Sequence, residues 1–380
     1  MTSMNFSGLV GLKYVTAVTL SVLLAACASS VDAPKPAELG PNAALLGIRQ
    51  AWFLKTSEVN FPLDIKVTGT TITIASSSGV VQAVDARTGS ELWQVNVSTA
   101  LAAGVGSDGV FTALVTRDNE LVVLESGKES WRQRLGAQGF TAPLVAGARV
   151  FVLLADRSVA AFDAKSGRKL WNQQRPGEPL VLRQAGVMQA VGDTLVVGLS
   201  GRLVGMGPQD GAIRWEAPIA SPRGTNDIER LVDLVAGVSR EGDVVCARAF
   251  QAAVGCVNTT RGALVWTRPA MGSEGVHGDD KFVYGTESDG KIIAWRRADG
   301  ERVWVSERLR YRGLTAPLVI GRSVAVGDGS GLVHFLSRED GSPLNRMPTD
   351  GSAVVAKPVL AGGTLVVVTR NGGIFGFKPE

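Results

Sequence analysis

The sequence predicts an all-β protein, an eight-bladed β-propeller of four-stranded antiparallel blades. The main observation is a repeated unit, in which an alternating strand, a tight turn ending in glycine and a short strand with tryptophan follow one another. In every copy the glycine stands four residues before the tryptophan. Complete copies end at Trp93, Trp171, Trp215, Trp266 and Trp304, a shortened copy ends at Trp131, and a decayed copy ends at Asn345. Self-similarity at about 40 residues is typical of propellers and solenoids.

The alternation within each copy predicts strands and excludes helices. From Val159 to Ala164 the residues alternate with the period of a pleated sheet. The following turn ends in Gly167 because hairpin turns need a residue with positive φ. A tryptophan on the outer strand of a four-stranded sheet is hidden only between neighbouring sheets, where its indole N–H finds a backbone carbonyl. We therefore expect the tryptophans to dock each blade against the next.

The two ends of the chain predict how the ring closes. Trp52 has no glycine four residues before it, and the final strand, Gly373–Phe377, has no tryptophan after it. We expect the N-terminal strand around Trp52 to complete the sheet of the C-terminal blade, which removes open edges that template aggregation. The expected blade-docking residues are Trp52, Trp93, Trp131, Trp171, Trp215, Trp266 and Trp304.

Residues 1–26 have the pattern of an export signal. A lysine precedes an apolar run, Tyr14–Ala26, that is too short for a membrane span. The run ends in Leu-Ala-Ala-Cys, which resembles the bacterial lipobox, so we expect Cys27 to be acylated and to become the mature N-terminus. No aspartate follows at the second position, which favours the outer membrane over the inner one. The alternative is an ordinary secretory signal with an incidental cysteine.

The rest of the chain divides into a tether and one domain. Residues 27–44 are polar and contain prolines, which predicts a flexible tether. Residues 45–380 carry the repeats and form the propeller. Hydrophobic residues make up 45% of the chain, enough for a large core. The net charge of +4 is scattered without a Lys/Arg run, which argues against nucleic-acid binding.

Two cysteines remain after Cys27, in an oxidising compartment. Cys246 and Cys256 flank one hairpin, and the turn between them decides their geometry. A two-residue turn would put them on opposite faces of the sheet. A three-residue turn centred on Gln251 would place them opposite one another and permit a bond. We favour the disulfide over two buried thiols.

The sequence contains no set of residues that indicates an enzyme. His277 and His334 lie far apart in different blades, which argues against a zinc site. No Gly-x-Ser-x-Gly elbow is present. The segment Gly104–Gly109 matches a dinucleotide fingerprint by letter, but no helix follows it, so we interpret it as a turn. We expect no catalytic residue, no metal and no cofactor.

The pattern Ala-x-Asp-x-x-Thr-Gly-x-x-x-Trp at Ala83–Trp93 resembles the tryptophan-docking repeat of quinoprotein dehydrogenases. Those enzymes are larger and carry adjacent cysteines and a calcium site over the quinone, whereas this chain has no Cys-Cys pair. A small periplasmic dehydrogenase dependent on pyrroloquinoline quinone (PQQ) is therefore the alternative hypothesis. With the lipobox and the eight repeats, the whole chain resembles the BamB family, the propeller lipoproteins of the outer-membrane β-barrel assembly (Bam) complex.

The resemblance implies a non-enzymatic scaffold that docks on the periplasmic POTRA domains of BamA and assists unfolded outer-membrane proteins. It implies a lipid anchor in the outer membrane and a position facing the periplasm. The family binds BamA through a Leu-x-Leu-Arg loop, matched by Leu180–Arg183, and an acidic loop, matched by Ile228–Val235, where Val235 replaces an acidic residue. The residues implied to bind BamA are Leu180, Leu182, Arg183, Asp227, Arg230 and Asp233.

These residues also have interpretations that do not depend on the resemblance. Leu180 and Leu182 alternate, as they would on the inner face of a strand, and the acidic residues fit a solvated loop. Apolar anchors beside Arg183 and a mixed-charge insertion at Ser221–Val235 also suit a protein interface, where anchors supply affinity and charges supply register. Sugar or peptidoglycan binding in the central channel is a third possibility.

Overall fold

In the part of the chain that the structure describes, thirty-two strands form eight antiparallel sheets of four, so the predicted eight-bladed propeller is confirmed. The computed structural model describes residues 34–175, 181–222, 225–226 and 230–380. Cys27 and the predicted signal peptide lie outside these residues. All of the described strands belong to the unit Pro36–Glu380. In these parts of the chain no helix has the length and apolar character that a membrane crossing requires.

The strands are numbered in chain order, and blades 1 to 8 follow the chain. Blades 1 and 2 contain β2 (Lys66–Thr68), β3 (Thr71–Ala75), β4 (Val80–Asp85), β5 (Glu91–Asn96), β6 (Leu101–Ser107), β7 (Phe111–Thr116), β8 (Glu120–Glu125) and β9 (Lys128–Arg134). Blades 3 and 4 contain β10 (Leu144–Ala146), β11 (Arg149–Leu153), β12 (Val159–Asp163), β13 (Lys169–Gln173), β14 (Met188–Val191), β15 (Thr194–Leu199), β16 (Arg202–Met206) and β17 (Ile213–Pro218).

Blades 5 and 6 contain β18 (Leu234–Glu241), β19 (Val244–Ala249), β20 (Ala253–Asn258), β21 (Ala263–Pro269), β22 (Val276–Gly278), β23 (Phe282–Thr286), β24 (Ile292–Arg296) and β25 (Arg302–Ser306). Blades 7 and 8 contain β26 (Leu318–Ile320), β27 (Ser323–Gly327), β28 (Leu332–Ser337), β29 (Pro343–Pro348), β30 (Val359–Ala361), β31 (Thr364–Val368), β32 (Gly373–Pro379) and β1 (Ile48–Lys55).

Blade 8 is built from both ends of the chain. β1 pairs antiparallel with β32, so that Phe53 lies opposite Phe375 and Lys55 lies opposite Gly373. The sheet order is β1-β32-β31-β30, which gives this blade its fourth strand. The predicted closure of the ring by the N-terminal strand is therefore confirmed.

The core lies between neighbouring blades. One cluster joins Ile72 and Val84 of blade 1 to Val122 and Leu124 of blade 2, and all four side chains are fully buried. The middle strands of a blade are covered on both faces, which is why they are almost wholly apolar. The outer strands behave differently: in β21, Trp266 is the only buried residue. In β21 the tryptophan is thus the residue that the outer strand contributes to the core.

The docking tryptophans lie against the turn glycine of the following blade. The ring of Trp131 is so close to Gly167 that a Cβ on the glycine would stand 2.7 Å from ring atom Cδ2. The indole N–H of Trp131 donates to the Ala164 carbonyl at 2.8 Å. Equivalent bonds join Trp52 to Ala86 (2.8 Å), Trp171 to Pro208 (3.1 Å), Trp266 to Arg297 (2.7 Å) and Trp304 to Arg338 (2.9 Å). Trp93 and Trp215 pack on Gly127 and Gly262.

Asn345 occupies the eighth docking position because blade 8 has no hairpin turn to receive a tryptophan. The chain entering from the N-terminus passes there instead. Asn345 Nδ2 donates to the Leu46 carbonyl at 2.5 Å, and Asn42 Nδ2 donates to Asn345 Oδ1 at 2.9 Å. The short amide side chain of Asn345 therefore bonds to the entering chain. The indole rings at the other joints pack on a turn glycine, which this position does not have.

Residues 37–45, which we call the N-terminal strap, lie against the propeller. Ala37 N donates to the Arg310 carbonyl at 2.9 Å, and Leu45 N donates to the Leu344 carbonyl at 2.7 Å. Between them, Leu39 packs on the apolar cluster of blades 6 and 7. The compact unit begins at Pro36, ahead of the boundary at residue 45 that the sequence predicts.

A disulfide bond joins β19 to β20. Cys246 lies directly opposite Cys256, and the two sulfur atoms are bonded. Three residues centred on Gln251 form the turn between the strands, and Gln251 itself has a φ of 45°. This is the three-residue register of the two that the sequence allows. The bond is buried beside Trp266.

Candidate partner-binding site at the channel mouth

Two connections between blades carry the residues that the resemblance assigns to partner binding. Residues 174–187 join β13 to β14, and residues 219–233 join β17 to β18. The structure describes four of the assigned residues, which are Leu182, Arg183, Arg230 and Asp233. Leu180 and Asp227 lie outside the described residues. The two connections are neighbours because they lead into adjacent blades.

The backbones of these two connections meet. Ala236 N donates to the Ala185 carbonyl at 2.7 Å, and Gly186 forms an isolated antiparallel bridge with Val235. Val235, which stands where the resemblance places a second acidic residue, is buried at this bridge. The bridge holds the segment around Leu182 against the start of β18.

Asp233 ties the two connections together with its side chain. Its Oδ2 accepts a hydrogen bond from Leu182 N at 3.1 Å, and its Oδ1 lies 3.0 Å from Nη1 of Arg157. Arg157 stands in the turn between β11 and β12, is buried, and also donates to Ser200 Oγ at 2.6 Å. Both oxygens of Asp233 are therefore used within the molecule. Its role in the structure is to shape the loop that presents Arg183.

Leu182 and Arg183 point to different surroundings. Leu182 is half-buried and lines a small cavity of about 50 Å³ together with Leu153, Leu199 and Leu234. Arg183 is exposed, and its guanidinium carbon lies 5.9 Å from the ring centroid of Phe140. Contact with an aromatic face holds the cation in place without neutralising it. The loop thus offers an apolar anchor with a charge beside it.

Two cavities lie in the central channel, with volumes of about 610 Å³ and about 540 Å³. Glu274 and Lys357 belong to the linings of both, and we call the position of these two residues the waist of the channel. Arg183 lines the larger cavity, as do Arg117 and Arg370. The connection with the assigned docking residues therefore lies at the mouth of the channel.

A buried ion pair lies behind this mouth. Arg248 of β19 has no exposed surface, and its Nη2 is 2.9 Å from Oε1 of Glu287. Gly272 and Gly285 leave the space that the guanidinium occupies. Burial lowers the pKa of Arg248 and raises that of Glu274, although each is opposed by the charge of the other. Sequence patterns gave no sign of Arg248, because it occupies an otherwise apolar strand.

Both histidines have partners within the fold. Nδ1 of His277 accepts a hydrogen bond from Val319 N at 3.2 Å, and burial together with Lys357 and Arg297 lowers the pKa of His277 to about 4. Nε2 of His334 lies 2.8 Å from Oδ2 of Asp328. Across the residues that the structure describes, no group of three or more His, Cys, Asp or Glu side chains could hold a metal ion.

Fold and site together define a tryptophan-docked, eight-bladed propeller with its candidate partner-binding loops at one mouth of the channel. Residues 77–306 match the family model described as "Outer membrane protein assembly factor BamB". The chain belongs to the BamB family. It is 35% identical over 364 residues to the protein of that name from Burkholderia pseudomallei, covering 94% of this chain and 96% of that one. For the relative from Bordetella pertussis the identity is 35% over 367 residues, covering 94% and 95%.

Solved structures agree with the fold. The crystal structure of BamB from Moraxella catarrhalis is 23% identical, with a TM-score of 0.79, and covers 87% of this chain and 99% of that one. Quinohemoprotein alcohol dehydrogenase from Comamonas testosteroni is 16% identical, with a TM-score of 0.68, and covers 89% and 78%. Both likenesses concern the fold alone, which the two kinds of protein share.

Proposed function

We propose that the protein is a non-enzymatic scaffold subunit of the Bam complex, which docks on the periplasmic POTRA domains of BamA. In this role it assists the insertion of β-barrel proteins into the outer membrane, and unfolded outer-membrane proteins are its clients. The names of its relatives, which are outer-membrane protein assembly factors, support the proposal. Family membership over nearly the whole chain makes the same role the simplest one for this protein.

The single observation that carries the docking proposal is the bond from Leu182 N to Asp233 at 3.1 Å. Two segments matched separately to the family's BamA-binding loops are joined by it, although 51 residues separate them. In this arrangement Leu182 supplies the apolar anchor and Arg183 the charge that sets register. Asp233 acts indirectly, since it holds the loop in shape. Leu180, Asp227 and Arg230 complete the proposed surface.

Charge reversal at Arg183 tests the docking. In the full-length lipoprotein, Arg183→Glu is expected to abolish co-purification with BamA from solubilised outer membranes. Arg183 is exposed and forms no ion pair in the described part of the chain, so the thermal unfolding midpoint should stay within about 1 °C of wild type. Arg302→Glu, the same change on the outer strand of blade 6, is the matched control and should co-purify normally. Undiminished recovery of the Arg183 variant would remove this residue from the interface.

Anchoring is proposed to occur through acylation of Cys27, which would hold the propeller at the outer membrane on its periplasmic side. The lipobox at this position supports it. Cells fed with labelled palmitate should yield labelled protein from the wild type, whereas Cys27→Ser should give none and should move to the soluble periplasmic fraction. Labelling of the serine variant would contradict acylation at this position.

The alternative, a small PQQ-dependent dehydrogenase, is favoured by no contact among the residues that the structure describes. A quinone site of that kind needs calcium ligands and adjacent cysteines. The described residues provide no metal-ligand group, and the disulfide joins residues ten apart within one hairpin. The described residues therefore do not fit PQQ with its calcium ion. Purified protein supplied with PQQ and calcium should show no dye-linked alcohol oxidation. Measurable alcohol oxidation would support the dehydrogenase hypothesis.

A further inference from the structure

Three arginines around the mouth of the channel have side chains with no hydrogen bond or ion pair in the described part of the chain. Arg117 follows β7, Arg183 lies in the connection to β14, and Arg370 follows β31, and all three are exposed. These three residues line one cavity of about 610 Å³, and the guanidinium group of none of them forms a hydrogen bond or ion pair within the described residues. Some other surface arginines, such as Arg132 with Glu120 at 2.7 Å, are paired within the fold.

The carboxylates at this mouth do not compensate the arginines. Glu287 is engaged by the buried Arg248 at 2.9 Å. Glu274 is half-buried near the same guanidinium, and burial raises its pKa, which favours its neutral form. Lys357 adds a further cation at the waist of the channel. The mouth is therefore an electropositive hollow, and its charges come from four different connections and turns.

We propose that the docking surface continues from the Leu182–Arg183 loop across the channel mouth and receives an acidic peptide segment of the docking partner. The carboxylates of that segment pair with Arg183, Arg117 and Arg370. This inference rests on the proposed function, because it takes the protein that binds the Arg183 loop to be the one that reaches into the hollow.

The chemistry of the hollow fits such a segment. Arginine binds carboxylates through two parallel N–H···O bonds, and its charge persists at every physiological pH. Phe61 and Phe140 line the same cavity, so the aliphatic parts of an acidic segment find apolar surface beside the cations. A volume of about 610 Å³ lies within the range of sites that enclose a ligand, roughly 300–1,000 Å³. A concave site next to a docking loop is open to the docked protein and too narrow for a membrane surface.

Binding of the full-length lipoprotein in detergent to solubilised BamA tests the inference. The variant Arg117→Glu/Arg370→Glu is expected to bind about tenfold more weakly, with most of the change in the association rate, because charges at the rim of an interface act mainly on association. Arg117→Lys/Arg370→Lys keeps the charge and should bind within about threefold of wild type. The matched control, Arg168→Glu/Arg302→Glu, makes the same charge change on the outer rim and should bind normally.

Failure of this inference can be told apart from failure of the proposed function. Wild-type affinity of Arg117→Glu/Arg370→Glu, together with lost binding of Arg183→Glu, would overturn the extended surface and leave the docking loop in place. Wild-type affinity of Arg183→Glu as well would overturn docking through this face altogether.

A second measurement needs no BamA. A fluorescent hexaglutamate peptide should bind the lipoprotein alone, more weakly at higher salt, and a hexalysine peptide should not bind. Arg117→Glu/Arg370→Glu should weaken hexaglutamate binding about tenfold. Equal binding of hexaglutamate by this variant and by the wild type would contradict the proposed site.

Discussion

At the scale of the residue, one glycine and one tryptophan make seven of the eight joints between blades. Gly167 has a φ of 70°, a region that residues with a side chain avoid, and the ring of Trp131 fills the space that a side chain would take. The glycine is therefore required for its backbone and for its lack of a Cβ. Each copy of the repeat therefore needs its glycine to receive the tryptophan of the preceding blade, and its own tryptophan packs on the glycine of the next blade.

The two requirements can be separated by a pair of alanine substitutions. Gly147→Ala meets only the backbone penalty, since φ is 58° and nothing lies within 4 Å of the added Cβ, so we expect a loss of about 1–2 kcal/mol. Gly167→Ala adds a Cβ at 2.7 Å from Trp131 and should lose a further 1–3 kcal/mol or so through overpacking. Guanidinium denaturation followed by circular dichroism measures both. Equal losses would show that the ring of Trp131 is free to move away.

The contacts that some residues form within the fold could not be predicted from the sequence. Asp233 was expected at the interface, but its partner Arg157 lies 76 residues away in a different blade, and no spacing rule relates them. Arginine is a residue type that usually lies at the surface, but Arg248 is fully buried. Such contacts depend on how the connections run over the ring. The alternation of apolar residues and the turn residues determine the strands, but they do not determine the course of the connections between blades.

At the scale of the element, the N-terminal strap shows the same limit. Polar residues and prolines predict a tether through residue 44, whereas Ala37–Leu45 is bonded to blade 7 and to the connection that leads into it. Its bonds use backbone groups and side chains more than 270 residues further along the chain, for example Arg312 Nη1 to the Ala37 carbonyl at 3.0 Å. Composition alone does not contain this information.

Arg312 links the strap to a buried carboxylate. Its Nε lies 2.8 Å from Oδ2 of Asp328, whose side chain is fully buried. Burial alone would raise the pKa of Asp328, but hydrogen bonds from His334, the Leu332 N–H and Arg312 outweigh it and hold that pKa below the ordinary value. The carboxylate is therefore charged, and it depends on its donors.

Arg312→Ala is expected to lower the free energy of unfolding by about 3–5 kcal/mol, because it leaves a buried charge with one cation fewer. Hydrogen exchange at the Ala37 amide should accelerate, while the Leu45 amide at the other end of the strap should keep its protection. Arg322→Ala is the matched control: it removes the exposed bond to the Leu45 carbonyl (2.8 Å) and should lose less than about 1 kcal/mol. Similar losses in both variants would show that strap contacts, not Asp328, carry the effect.

At the scale of the whole molecule, the ring depends on one pairing between the ends of the chain. The number of repeats and the incomplete repeat at each end of the chain were enough to predict this closure. A tryptophan strand without its turn at the N-terminus and a final strand without its tryptophan strand at the C-terminus complete one blade when they pair. β1 and β32 meet with Arg49 opposite Lys378. All other strand neighbours within blades are consecutive in the chain. Among the strand ladders, this one alone joins the two ends of the described chain.

Locking that ladder should stabilise the protein more than locking a hairpin does. An oxidised Arg49→Cys/Lys378→Cys pair closes a loop of well over 100 residues, for which the entropic gain exceeds about 4.7 kcal/mol. A Val80→Cys/Asn96→Cys pair, opposite one another in β4 and β5, closes a loop of about 15 residues and should gain about 3 kcal/mol. Denaturation midpoints with and without reductant isolate the effect of each bond. A terminal crosslink that fails to form, or that gains no more than the hairpin one, would contradict a ring closed by β1, because the bond forms without strain only if Arg49 and Lys378 lie opposite one another, and a crosslink between residues so far apart restricts the unfolded chain most.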